Sequence, residues 1–208
     1  MDSFVDTLKA EFGYNQPILT EDLLALYPSM TRQGVYKKIN AAISSGDLER
    51  YGRGVYYLPT ETPFGRSGLL ATQVVRRRWL ERDDEVFGYK SGFTLANEVG
   101  VTTQVPATLE ITTNKEKTAV RDIGSFGGWK RVILRKPRRP VTRRNVDALR
   151  FLDLITDEDV DQFDEFEFDA LKKLARKAGK TMIYDCSQSY PARTAKKLAE
   201  CERYRVFG

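Results

Sequence analysis

The chain of 208 residues is 41% hydrophobic and 30% charged, with 34 Lys and Arg against 29 Asp and Glu, the balance of a globular protein long enough to bury two cores without staples. It has no histidine and only Cys186 and Cys201, which excludes Ser-His-Asp and Cys-His catalysis and argues against a structural zinc site or a disulfide scaffold. No run of about 18 apolar residues is present to span a membrane, and the start MDSFVDTLKAEF lacks the regions of a signal peptide, so a cytoplasmic protein with reduced thiols and no membrane partner is expected.

Residues 1–62 read as one domain. A first helix over 3–12 is capped by Ser3, with Asp6 three residues on and Phe4, Val5, Leu8 and Phe12 on one face. Thr20 is the expected cap of a second helix, with Glu21 and Asp22 in its first turn, Leu23, Leu24 and Tyr27 as its apolar stripe and Pro28 as its stop. Thr31 caps a third, in which Val35, Ile39, Ala42 and Ile43 recur at i, i+4, i+7 and i+8. The opposite face carries Gln33, Lys37, Asn40 and Ser44, flanked by Tyr36, with Arg32 in the first turn. Beyond Gly46, the segments 47–51 and 55–58 are joined by Gly52-Arg53-Gly54, a tight hairpin with Arg53 at its tip.

Helix, turn, helix and hairpin outline a winged helix-turn-helix. Its duplex-facing candidates are Thr31, Arg32, Gln33, Tyr36, Lys37, Asn40, Arg50 and Arg53. Gln and Asn can pair with adenine edges, and Lys and Arg reach guanine or phosphate. Positions 30–54 hold five basic groups against two acidic ones, although residues 1–62 have a net charge of −2. A small helical lobe with a solvated basic face is the alternative.

Thr60 to Gly65 has the composition of a linker, and residues 66–208 are expected to form a mixed α/β domain with a helical last third, making the whole chain α+β. Residues 67–82 read as an amphipathic helix with Leu70, Val74 and Leu80 inward and Arg76, Arg77 and Arg78 outward. Ser91 caps a short helix that Gly100 ends, and Ala107, Leu109 and Ile111 alternate as in a half-buried strand.

Residues 130–144, KRVILRKPRRPVTRR, contain eight basic groups and no acidic one: Lys130, Arg131, Arg135, Lys136, Arg138, Arg139, Arg143 and Arg144. The first half fits a strand, and such charges either guard a sheet edge or form a basic patch for phosphates. A helix capped by Thr142 follows over 142–156. Residues 157–169 hold eight carboxylates in thirteen positions, a partner for the basic stretch or a solvated helix start. A helix ended by Gly179 and another begun by Pro191 complete the chain.

Two motifs together carry a resemblance. Gly46-Asp47-Leu48 with Arg53-Gly54-Val55-Tyr56-Tyr57-Leu58-Pro59, followed by Gly88-Tyr89-Lys90-Ser91-Gly92 and Gly100-Val101-Thr102-Thr103-Gln104-Val105-Pro106, resembles the AbiEi-type antitoxins of type IV toxin-antitoxin pairs over roughly residues 20–155. The resemblance implies a winged domain that binds inverted repeats in double-stranded DNA of its own promoter, and a second domain that counters a nucleotidyltransferase-like toxin. Neutralisation in that family need not involve a stable complex. No enzyme activity, cofactor or metal is expected from it. Two other readings stay open: a repressor whose second domain senses a small ligand, and a Mg²⁺-dependent nuclease using Glu110 with Asp83, Asp84 or Glu85.

Overall fold

The computed structural model describes residues 3–208, and the chain forms two compact units, Met1–Arg78 and Trp79–Gly208. It is mixed α and β with a helical C-terminal third. The division falls beyond the expected boundary at 62–66, and the reason is visible in unit 1.

Unit 1 begins with α1, Phe4–Phe12, capped by Ser3, whose hydroxyl accepts from the Asp6 amide. Strand β1, Ile18–Leu19, leads directly into α2, Thr20–Leu26. Thr20 is not the cap expected of it. It lies inside the helix with its amide on the Gly54 carbonyl, and the Asp22 carboxylate reaches back to accept from the Leu19 amide at 2.9 Å. Helix α3, Arg32–Ser44, has the predicted Thr31 cap and buries Val35, Ile39 and Ala42. They join Leu8, Ile18, Leu23, Leu48, Tyr56 and Leu58 in one core, where each large apolar side chain contributes roughly 1.5–3 kcal/mol.

Strands β2, Glu49–Gly52, and β3, Val55–Tyr57, form the hairpin, and β1 completes a sheet in the order β1-β3-β2. The turn-rich stretch after Pro59 is not a free linker. It makes a small hairpin, β4 (Glu61–Thr62) and β5 (Gly65–Arg66), and Arg66 binds the Gly46 carbonyl at 2.9 Å and Glu61 at 2.8 Å. Helix α4, Ala71–Val75, runs into a π-helical turn, Arg76–Leu80. Val74 and Val75 are buried, but Leu70, expected inward, is exposed. Arg77, expected outward, meets buried Asp22 at 3.1 Å. An ion pair between residues so distant in sequence holds 67–78 to unit 1.

Unit 2 opens with the hairpin β6 (Glu81–Arg82) and β7 (Glu85–Val86). Its main sheet joins β8 (Gly88–Lys90), β9 (Thr108–Thr113), β10 (Val120–Asp122) and β11 (Arg131–Arg135) in the order β10-β11-β9-β8. The pairing of β11 with β9 is parallel and the others are antiparallel. Gly88 has no room for a side chain, because a Cβ there would lie 2.0 Å from the Trp79 carbonyl oxygen. Helix α5, Gly92–Val99, ends at Gly100 as expected.

The C-terminal third is helical: α6 (Val146–Asp157), a 3₁₀ turn, α7 (Glu165–Ala178), α8 (Lys180–Ser187) and α9 (Ala192–Arg203). Helix α6 starts later than Thr142, because the Asn145 side chain accepts from the Thr142 amide and donates to the Pro140 carbonyl, holding 140–145 as a turn. The acidic stretch serves mainly the helices: Asp164 caps α7 with Glu167, Asp159 meets Lys197 and Asp161 meets Arg203. Both cysteines are free and buried. No described helix is long and apolar enough to cross a membrane.

Glu116, buried after β9, accepts from the Lys117 and Thr118 amides, the Thr118 hydroxyl and Arg121. Burial acts to raise its carboxyl pKa, but these donors, the Thr118 amide first, outweigh it and bring the value from 4.5 down to about 2. The folded state therefore binds fewer protons, and the stability Glu116 supplies is complete above pH 4.5 and is lost as pH falls toward 2. Glu116→Gln is expected to flatten the acid limb of stability, read as urea midpoints against pH. An acid limb identical to wild type would contradict the assignment.

Candidate nucleic-acid interface

The face of α3 opposite its buried stripe is open. Arg32, Gln33, Lys37 and Asn40 are exposed, while Val35, Ile39 and Ala42 anchor the other side. Tyr36 is half-buried, with the Arg32 guanidinium 5.9 Å from its ring centroid. Thr31 is exposed, but its oxygen already accepts from the Gly34 amide at 3.1 Å, so the hydroxyl proton is what it can offer a phosphate.

The hairpin places Arg53 at an exposed tip. Gly52 pairs with Val55, so the loop is a two-residue Arg53-Gly54 turn with an irregularity between Arg50 and Gly52, tighter than the expected three-residue loop. Gly54 has φ +74°, which a side chain would strain, and its carbonyl receives the Thr20 amide at 3.0 Å. That bond fixes the tip to the start of α2. Arg50 is exposed, and its guanidinium lies over the Tyr56 ring at 5.6 Å. Exposed polar side chains on a capped helix, and an arginine on a fixed turn, can form directed hydrogen bonds and phosphate contacts without rearranging the core.

The stretch 130–144 in unit 2 differs from what its sequence suggested. Strand β11 is an interior strand, so its arginines do not guard a sheet edge. Five of the eight basic residues are engaged: Arg131 with Asp122, Arg135 with Glu110, Arg139 with Asp185, Arg143 with the Asp84 carbonyl, and Arg138 over the Tyr190 ring. Among the described residues Lys130, Lys136 and Arg144 are in no ion pair. Lys130 and Lys136 sit at opposite ends of β11, roughly 20 Å apart at about 3.3 Å per residue. The eight do not make one free patch.

Glu110, the carboxylate of the nuclease reading, accepts from Arg135 at 2.7 and 3.1 Å. Among the described residues no group of three or more Cys, Asp or Glu is placed to hold a metal ion. Asp153, not singled out in the sequence, and Asp157, the first carboxylate of the acidic stretch, are one turn apart on α6 and line a cavity with Ser91 and Arg135. Their only sequence signal as a pair is the i, i+4 spacing opposite an apolar stripe, which is common on solvated helices. No family model matches the chain, and no curated protein matches it.

Gln33→Ala or Asn40→Ala is expected to cost about 1–3 kcal/mol on a specific DNA site and less on random DNA, measured by titration against both. Arg53→Ala should weaken both and lower the salt slope by about 1. Equal losses on both DNAs for Gln33 and Asn40 would remove base reading from this face.

Proposed function

We propose that the chain is a non-enzymatic, DNA-binding transcriptional autorepressor and the antitoxin of a type IV toxin-antitoxin pair. One observation carries the DNA-binding part: α3 keeps Arg32, Gln33, Lys37 and Asn40 exposed along a face opposite its buried stripe. The element order supports reading unit 1 as a winged helix-turn-helix, with helix, short strand, two helices and a hairpin, and β3 between β1 and β2. In this reading α3 enters the major groove and Arg53 reaches the flanking backbone. Two copies on an inverted repeat follow from the geometry of such sites.

The antitoxin part is supported by the resemblance of the two motifs to the AbiEi-type family. In that reading the second unit counters a nucleotidyltransferase-like toxin, with or without a stable complex. A ligand-sensing repressor without a toxin is a second reading, favoured by the cavity of unit 2 lined by Arg135, Arg138 and Asp153.

Footprinting on the DNA upstream of the chain's own reading frame tests the first part, with two protected half-sites expected and uniform weak protection refuting it. Co-expression with the adjacent reading frame tests the second, with rescue of growth expected. Replacing Lys130, Lys136 and Arg144 by Gln should leave stability within about 0.5 kcal/mol, since none is buried or in an ion pair. If they contact phosphates, the salt slope of full-length binding falls by up to about 3. An unchanged slope together with full rescue would make them solvated surface.

A further inference from the structure

Across the sheet of unit 2 one register row runs Val120, Arg135, Thr112, Tyr89. Residues paired in a row share a face, and here it is the face toward α6, because the Tyr89 hydroxyl donates to Asp153 at 2.7 Å. Between row and helix lies a cavity of about 330 Å³, lined by Ser91, Thr112, Arg135, Arg138, Asp153 and Asp157 among others. That volume is within the range of small-molecule sites.

One wall is cationic. Arg135 is positioned by Glu110, and Arg138 by the Tyr190 ring at 5.2 Å. Beside them the chain turns into α5, where the Phe93 amide donates to Glu110 at 3.4 Å. Gly92 begins it at φ +55°, which a side chain would strain, and a Cβ there, 2.4 Å from Glu110 Oε1, would displace that carboxylate. Ser91 occupies the cap position but makes no capping bond. Its hydroxyl is buried and has no partner, a condition that costs about 1–3 kcal/mol unless something else supplies one.

The other wall is acidic. Asp153 accepts from Tyr89 and, at 2.8 Å, from Tyr190, and each carboxylate oxygen keeps a lone pair. Burial pushes its carboxyl above the usual range, while the two phenols pull the other way. Arg135, Arg193 and Arg138 act on Asp157 through space, yet among the described residues none pairs with it at ion-pair distance. Opposed charges that face one another without closing leave room for a molecule carrying both kinds of complementary group.

We propose that this cavity binds a phosphorylated sugar derivative, a mononucleotide or a sugar phosphate. The phosphate would sit at Arg135, Arg138 and the Ser91 hydroxyl. The sugar hydroxyls would donate to Asp153 and Asp157. The test is calorimetric titration of the full chain with 5′-AMP, ribose 5-phosphate, adenosine and inorganic phosphate. At least one of the first two should bind about tenfold or more tighter than either of the last two. A preference for 5′-AMP over ribose 5-phosphate identifies a nucleotide site, and equal affinity identifies a sugar-phosphate site.

Arg138→Gln should weaken the phosphorylated sugars by about tenfold or more, and Asp157→Asn should weaken them while sparing inorganic phosphate. Ser91→Ala should weaken them too, yet leave the melting temperature of the free protein unchanged or raised, because the hydroxyl has no bond to lose. Absence of saturable binding by 5′-AMP and ribose 5-phosphate would overturn the proposal. So would inorganic phosphate binding as tightly as they do, or wild-type affinity in both Arg138→Gln and Asp157→Asn.

Discussion

The parallel pairing of β11 with β9 governs unit 2. It sets Arg135 beside Thr112 and within reach of Glu110, and it places a strand with an arginine at each end inside a sheet rather than on its rim. In the Arg135–Glu110 pair it is the carboxylate that is largely buried, and a buried charge left without a partner costs several kcal/mol. The pair of Arg131 with Asp122 stays well exposed on both sides, so it adds little. The same register brings Tyr89 into line with Arg135, and through Tyr89 it fixes Asp153 on α6. Charge that looked like a free surface patch in the sequence is in good part engaged by partners within unit 2.

How much was legible followed the range of the interaction. The Thr31 cap and the Val35, Ile39 and Ala42 stripe are decided within four residues of chain, and both are present in α3. The hairpin was readable from Gly52-Arg53-Gly54, although its exact register was not, because the irregularity near Tyr51 depends on pairing with β3. What failed was long-range. Nothing near Asp22 announces Arg77, and nothing near Thr60 announces that Arg66 will bind the Gly46 carbonyl. Turn-rich composition therefore read as a domain boundary where the structure has a second small hairpin. Strand order is likewise invisible in one sequence, so β11 was open to being read as an edge.

The two motifs that carry the family resemblance have physical roles of different kinds. Around the hairpin, Gly54 holds a positive φ, Val55 pairs with Leu19 of β1 and Tyr56 lies in the core, which are requirements of any tight hairpin packed on helices. In Gly88-Tyr89-Lys90-Ser91-Gly92 the demands are more particular. Gly88 passes against the Trp79 backbone, Tyr89 holds Asp153, and Gly92 passes against Glu110. Only Ser91 lacks a contact that accounts for its side chain.

An unpartnered polar group means different things at different depths. Gln33 and Asn40 of α3 face water, which satisfies them at no cost, so their freedom is compatible with a DNA contact and equally with ordinary solvation. A buried hydroxyl without a partner is a standing destabilisation that replacement by Ala would relieve. Ser91 is 2% exposed and lines a cavity whose charged walls do not close on each other. A chain that needed only to fold would gain by filling that space with apolar side chains and omitting the hydroxyl. Its place beside Arg135, Arg138 and Asp153 is a feature that folding does not require and that a bound polar molecule would use.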